Sequence, residues 1–424
     1  MKFAVVTFGC RVNQADSLGI EDQLIARGGT RAEPADADLL IVNTCSVTSA
    51  ADQGARQTVR RVVRGNPGVK VVMTGCYATR RPDEAAALPN VLHVIPNGRK
   101  DALIGELEAM PWWTTAWTTA QRYAGGDGPC GLSLRPGDAG RTAFTIRVQT
   151  GCDQTCSYCI IPRTRGQGRS RPLPDVIADI SRAVAAGYKE MAITGVHLGS
   201  YGRDLGDGTT LERLVRVLAE WPDDVLFRIS SLEPMDCTPA IVRLAAGSPR
   251  LAPHFHLPLQ HACDAMLAAM RRPYTAAFYR DLVGEIQRQM PHASVGTDLI
   301  AGFPGESPDA ATRTEAFVSG LPLSHVHVFP YSDRPGTDAS ALGNKAEGAD
   351  IRERARVLRE AGARLTRAFH ARQIGTRRRA LTVDDGTHAV TDNYLKLRLE
   401  ERRPRNEWVD VTVCGSPGAL EGRL

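Results

Sequence analysis

Three short apolar runs open the chain: Lys2–Phe8, Asp38–Asn43 and Val69–Thr74. Runs of this length with no polar face predict buried parallel strands. Between them, Asn13–Arg27 and Ala50–Arg64 space their apolar residues as amphipathic helices do. The order is βαβαβ, which predicts an open parallel α/β sheet over residues 1–110. A join follows at 111–140, rich in Gly and Pro and carrying Trp112, Trp113 and Trp117. Those tryptophans suggest packing between two units rather than a ligand site.

The alternation then resumes. Strands are expected at Ala143–Gln149, Glu190–Thr194, Val225–Ser231, His254–Gln260, Ser294–Ile300 and Ser324–Tyr331. Helices separate them at Leu173–Ala186, Leu211–Glu220, Pro239–Ala246, Asp264–Met270, Thr275–Met290 and Asp309–Leu321. Six βα units fit a partial (β/α)6 barrel over 141–370, with its functional groups on the C-terminal edge of the strands. Gly348–Gln373 reads as a long Arg-rich closing helix. From 371 to 424 the alternating runs Arg379–Val383, Tyr394–Leu399 and Glu407–Cys414 predict a small antiparallel β module.

At 424 residues, with 42% hydrophobic and 23% charged residues, the chain is an ordinary multi-unit globular protein, not a fibrous or disordered one. No run of about 18 apolar residues occurs, so no membrane span is expected. The start Met1–Cys10 only loosely resembles a lipoprotein signal, and a run ending Gly9-Cys10 better suits a buried strand. A cytoplasmic location is expected. Thiols stay reduced there, so ten cysteines point to metal or redox chemistry rather than disulfides. Net charge is +5, and the excess lies after Ile351, with 16 basic and 10 acidic residues. A basic end suggests a polyanionic partner, although a small surface excess needs none.

The strongest local signal is Cys152-x3-Cys156-x2-Cys159, directly after the first strand expected in the barrel. Three thiolates on a short loop can hold three irons of a cubane and leave the fourth open for a chelating substrate. A structural zinc needs a fourth ligand nearby, and none follows. A second set is dispersed: Cys10, Cys45 and Cys76 each sit just past the end of one early strand. Successive strand ends of a parallel sheet share one edge, so these thiols should converge on a second metal site, again one ligand short. The bland alternative is three buried structural cysteines. Past the cluster loop, Arg163, Arg165, Arg169 and Arg171, spaced by Gly166 and Gly168, suit phosphate contacts or form a solvated loop.

At these constellations the chain resembles the methylthiotransferases of the radical S-adenosylmethionine superfamily. The resemblance runs through Gly9-Cys10-Arg11-Val12-Asn13-Gln14, Asn43-Thr44-Cys45, Thr74-Gly75-Cys76-Tyr77, the Cys152–Cys159 loop, Arg228–Pro234, His256–Gln260, Thr297–Glu306 and Phe329-Pro330-Tyr331-Ser332. The first segment and Thr194–Gly202 look like the MtaB branch, which acts on threonylcarbamoyladenosine beside the tRNA anticodon. Other branches act on isopentenyladenosine in tRNA or on an aspartate of a ribosomal protein. His261-Ala262 departs from the Ser-Gly usual after Gln260, which would alter the barrel mouth.

The resemblance implies two 4Fe–4S clusters. The one on Cys152, Cys156 and Cys159 would bind S-adenosylmethionine and yield a 5′-deoxyadenosyl radical. That radical takes hydrogen from C2 of the adenine, a C–H bond too weakly acidic for a side-chain base. The cluster on Cys10, Cys45 and Cys76 would carry the sulfur, which a second S-adenosylmethionine methylates before insertion. Gly195, Ser230, Gln260 and Asp298, at strand ends, become candidates for the S-adenosylmethionine shell, against ordinary packing. The C-terminal module resembles a short TRAM domain, which implies tRNA anticodon stem-loop binding. A flavodoxin- or ferredoxin-like electron donor and a sulfur source are implied as further partners. A non-catalytic iron–sulfur or zinc RNA-binding protein is the reading from a different class, and metal content separates it from the enzyme.

Overall fold

The computed structural model describes residues 1–113, 135–137 and 141–424. Trp117 and Cys130, with most of the expected join, lie outside them. The N-terminal sheet is parallel throughout, with β1 (Lys2–Thr7), β2 (Thr30–Arg31), β3 (Leu39–Thr44), β4 (Lys70–Gly75) and β5 (Val91–Ile95) in the order β2-β1-β3-β4-β5. The sequence pattern anticipated three of these strands; β2 and β5 are edge additions. Every residue of β3 is buried, as its unbroken apolar run requires. Helix Ser49–Gly65 covers one face, with its Val59 and Val62 packed in one cluster with Val42 and Val71 of the sheet. Helix Arg11–Ala26 covers the other over Phe3, Ile41 and Leu103. Trp113 is buried in that second layer with residues of the same unit, beside Trp112 at 5.8 Å. This pair therefore packs onto the N-terminal sheet.

Strand β6 (Phe144–Arg147) starts the central region, followed by the short antiparallel pair β7 (Gln149–Thr150) and β8 (Arg169–Ser170). Strands β9 (Glu190–Thr194), β10 (Leu226–Ile229), β11 (His254–His256), β12 (Ser294–Ala301) and β13 (His325–Pro330) complete it. They form two parallel three-stranded sheets, β10-β9-β6 and β11-β12-β13, which meet where Leu232 N donates to His256 O at 2.9 Å. Strand β11 stops at His256, shorter than the expected His254–Gln260; Pro258 beyond it has no N–H for the ladder, and Gln260 takes a left-handed conformation at φ 70°. Side chains from both sheets and their helices form one core. The closing helix spans Gly348–Gln373 as expected and lies against β13 where Gly362 faces Val326.

The C-terminal module is a closed barrel of β14 (Arg377–Val383), β15 (His388–Thr391), β16 (Lys396–Leu399), β17 (Trp408–Ser416) and β18 (Ala419–Arg423), ordered β14-β15-β16-β18-β17. It is not wholly antiparallel, since β16 and β18 pair in parallel. Closure leaves no free edge, which lets so short a module hold a core. Arg228 ties it to the central region. Its guanidinium bonds Glu190 at 2.9 and 3.0 Å and donates to the carbonyls of Thr391 and Asp392 at 2.7 and 2.6 Å.

Candidate functional site

Strand order reverses between β1 and β3, and crevices at such a point bind ligands at the carboxyl ends of the strands. Cys10 caps the helix after β1, Cys45 follows β3, and Cys76 opens the helix after β4. The three thiols therefore meet at one edge, as strand periodicity suggested. Glycine makes two of these turns possible. Gly9 and Gly75 sit at φ 91° and 95°, and a Cβ on Gly75 would fall 2.2 Å from Thr44 O. Burial first, then the neighbouring Cys76 and Cys10, push the Cys45 thiol up to about 11. Asn97 Nδ2 lies 3.5 Å from Cys76 Sγ and 2.9 Å from Thr164 O, linking this site to the central region.

Cys152, Cys156 and Cys159 lie on the loop after β7. Gly151 turns the chain at φ 72°, where a Cβ would lie 1.8 Å from Gln167 O. Arg272 Nη1 is 3.2 Å from Cys156 Sγ and the backbone N of Gln154 is 3.4 Å from Cys152 Sγ. Burial first, then Cys156 and Cys152, push Cys159 up to about 12. Neighbouring thiols disfavour ionisation of Cys45 in one set and of Cys152 and Cys159 in the other, while N–H donors approach from outside. Such a donor set fits a thiolate-ligated cationic iron–sulfur cluster, in which the metal supplies the missing positive charge.

A cavity of about 200 Å³ lies between the two sets. Cys159, Tyr158 and Ile160 of the cluster loop line one wall, and Val47 and Thr48, just past Cys45, line another. Gln260, Asp298, Phe329 and Arg334 complete it. Val47 N lies 3.5 Å from Cys45 Sγ. Asp298 is drawn down to about 2: burial works against the charge, but hydrogen bonds from His256 and His327 overcome it.

Of the four residues suggested for an S-adenosylmethionine shell, Gln260 and Asp298 line this cavity. Gly195 instead packs against Gln149 at the end of β9, and Ser230 lines a smaller hollow beside His254 and His256. Arg163 and Arg169 are exposed and Arg171 is half-buried against Asp179. Arg165 departs from the surface role expected of it. Its side chain is 2% exposed and engages Asp16, Asn13 and Thr150 between the two units. His261 likewise does not reach the mouth: its side chain is fully buried, 3.0 Å from Glu306. Arg272 and Thr48 carried no sequence signal, because their positions follow from how distant loops meet.

Residues 2–96 match the family model described as uncharacterized protein family UPF0004, and residues 146–318 match the radical SAM superfamily. Together these define a radical S-adenosylmethionine enzyme with an added N-terminal α/β unit. Threonylcarbamoyladenosine tRNA methylthiotransferase MtaB of Aquifex aeolicus is 33% identical, over 97% of this chain and 100% of its own length. Its namesake in Thermotoga maritima is 34% identical over 89% of this chain and 85% of its own. The tRNA-2-methylthio-N(6)-dimethylallyladenosine synthase of Chloroflexus aurantiacus is 30% identical over 100% and 88%. The chain belongs to the MtaB family of radical S-adenosylmethionine methylthiotransferases. Among solved structures, the radical S-adenosylmethionine methyltransferase TsrM of Kitasatospora setae shares the fold, with a TM-score of 0.56 at 15% identity over 80% of this chain and 77% of that one.

Proposed function

We propose that the enzyme adds a methylthio group to C2 of N6-threonylcarbamoyladenosine next to the tRNA anticodon. The observation that carries this reading is the cavity shared by Cys159 and the loop after Cys45. Cys152, Cys156 and Cys159 would hold one 4Fe–4S cluster with S-adenosylmethionine, and Cys10, Cys45 and Cys76 a second. When bound, these groups supply the one-electron chemistry that breaks an unreactive C–H bond and the sulfur that replaces the hydrogen. The chain's own work is placement. Tyr158, Ile160 and Phe329 give apolar walls that exclude water and suit a purine face. Gln260 and Asp298 would offer polar atoms to S-adenosylmethionine, with Gly195 and Ser230 at the ends of the neighbouring strands β9 and β10. Arg163, Arg169 and Arg171 suit phosphates near the mouth. The central strands form a partial six-unit barrel, and the TRAM-like module adds non-specific grip on the RNA.

The test is expression in a host that makes threonylcarbamoyladenosine but not its methylthio form, followed by mass spectrometry of tRNA nucleosides. The methylthio product is expected. Its absence, with a soluble protein carrying both clusters, would overturn this substrate in favour of isopentenyladenosine or a ribosomal-protein aspartate.

A further inference from the structure

Three donors converge on β11, β12 and β13 beside the cavity. His256 Nε2 lies 3.1 Å from Asp298 Oδ1, and His327 Nδ1 lies 3.4 Å from the same oxygen. One donor atom from each residue falls within 4.8 Å of the others. Strand register sets this up. His327 pairs directly with Asp298, and His256 pairs with Gly296, two residues earlier and so on the same face.

Neutral imidazoles suit this arrangement in two ways, with their N–H groups donating to Asp298 or with their lone pairs turned inward onto a shared cation. Ser231 Oγ lies 2.6 Å from His256 Nδ1. With Ser231 donating to Nδ1, Nε2–H donates to the carboxylate oxygen 3.1 Å away; with the proton on Nδ1 and Ser231 accepting, the Nε2 lone pair is free to ligate a cation. Protonating both imidazoles instead would set two cations with ring centres 5.7 Å apart, each within 6 Å of the His325 ring. One divalent cation would satisfy all three donors. Metal–ligand bonds of about 2.0–2.2 Å at tetrahedral to octahedral angles separate neighbouring ligand atoms by about 2.8–3.6 Å. Both short edges of the cluster match.

We propose that His256, Asp298 and His327 form a divalent transition-metal site at the cavity rim, separate from both cysteine sets. Two imidazoles and a carboxylate suit Mn²⁺, Fe²⁺ or Zn²⁺ and leave positions open for oxygen ligands. Ser231 is the outer partner that orients His256. The His327 side chain is 60% exposed, which gives the ion a way in. Both imidazoles use Oδ1 of Asp298, so Oδ2 is the atom through which that residue would serve the cavity.

The test is titration of the holoenzyme with Mn²⁺, read by the six-line electron paramagnetic resonance signal of free Mn²⁺. Oxidised 4Fe–4S clusters are silent in that measurement. Uptake of one Mn²⁺ per chain is expected, with affinity at least about tenfold weaker in His327→Ala, as loss of a metal-site residue typically costs. The exposure of His327 keeps this variant folded, and its iron content checks that both clusters remain. No uptake by the native enzyme, or equal uptake by the variant, would overturn the site. Neither result bears on the methylthio transfer proposed above.

Discussion

Arg165 of the central region and Asp16 of the N-terminal unit meet in full burial, with Nη2 3.4 Å from Oδ2. Lys100 and Arg147 reach the same carboxylate at 2.9 and 2.6 Å. Burial alone would raise Asp16, but the three cations overcome it and hold the carboxyl far below its ordinary range. Arg165 also lies close enough to Cys76 and Cys10 to feel their charge, so the excess positive charge borders the first cysteine site.

Asp16→Asn should therefore cost about 3–5 kcal/mol at neutral pH, because it strands buried cations. Urea unfolding measures this. A carboxyl with a depressed folded pKa stabilises above its unfolded value, and the benefit is lost as pH falls through the folded value. The native protein should thus lose stability more steeply than the variant below about pH 4. Parallel pH profiles would deny the network this role.

Replacing Cys152, Cys156 and Cys159 together by Ala should abolish S-adenosylmethionine cleavage and lower iron from about eight to about four per chain. The same change at Cys10, Cys45 and Cys76 should lower iron equally, keep cleavage and end thiolation. Iron assay with chromatography of 5′-deoxyadenosine separates the two. Sulfur transfer by the second variant would remove the N-terminal set from the reaction.

Gly75→Ala should act like loss of Cys76. The φ of 95° and a Cβ 2.2 Å from Thr44 O force the turn to move. Left-handed strain for a non-glycine residue is about 1–2 kcal/mol before the clash is counted. Iron content should fall with cleavage kept; full iron loading would show that the turn adapts.

Arg163→Ala and Arg169→Ala should each flatten the salt dependence of tRNA binding by about 0.7–0.9 in log–log slope, if each contacts one phosphate. Arg165→Ala should leave the slope alone and lower stability instead. Filter binding across salt concentrations reads the slopes.

Elements with long or wholly apolar patterns were legible in the chain. The run Leu39–Val42 could only be a buried strand, and Gly348–Gln373 matches its helix end to end. Edge strands were not: Thr30–Arg31 has two residues, and Val91–Ile95 is only partly buried. Repetition of one topological position revealed that Cys10, Cys45 and Cys76 share an edge. Spacing along the chain could not reveal that Arg165 turns inward, because its partners Asn13 and Asp16 lie about 150 residues away. The inward turn of His261 was hidden for the same reason, its partner Glu306 being 45 residues downstream.

The shared cavity also constrains how such a protein can be inherited or recombined. Its walls come from residues 47–48, 158–161, 260, 298, 300, 329–332 and 334, so neither half encloses it alone. Arg334 seals the seam by bonding Asp52 at 2.9 Å from across it. A hybrid joining the first hundred residues of one relative to the remainder of another would keep both cysteine sets and still misshape the space between them. The two halves must then drift as matched partners, each substitution on one lip answered on the other.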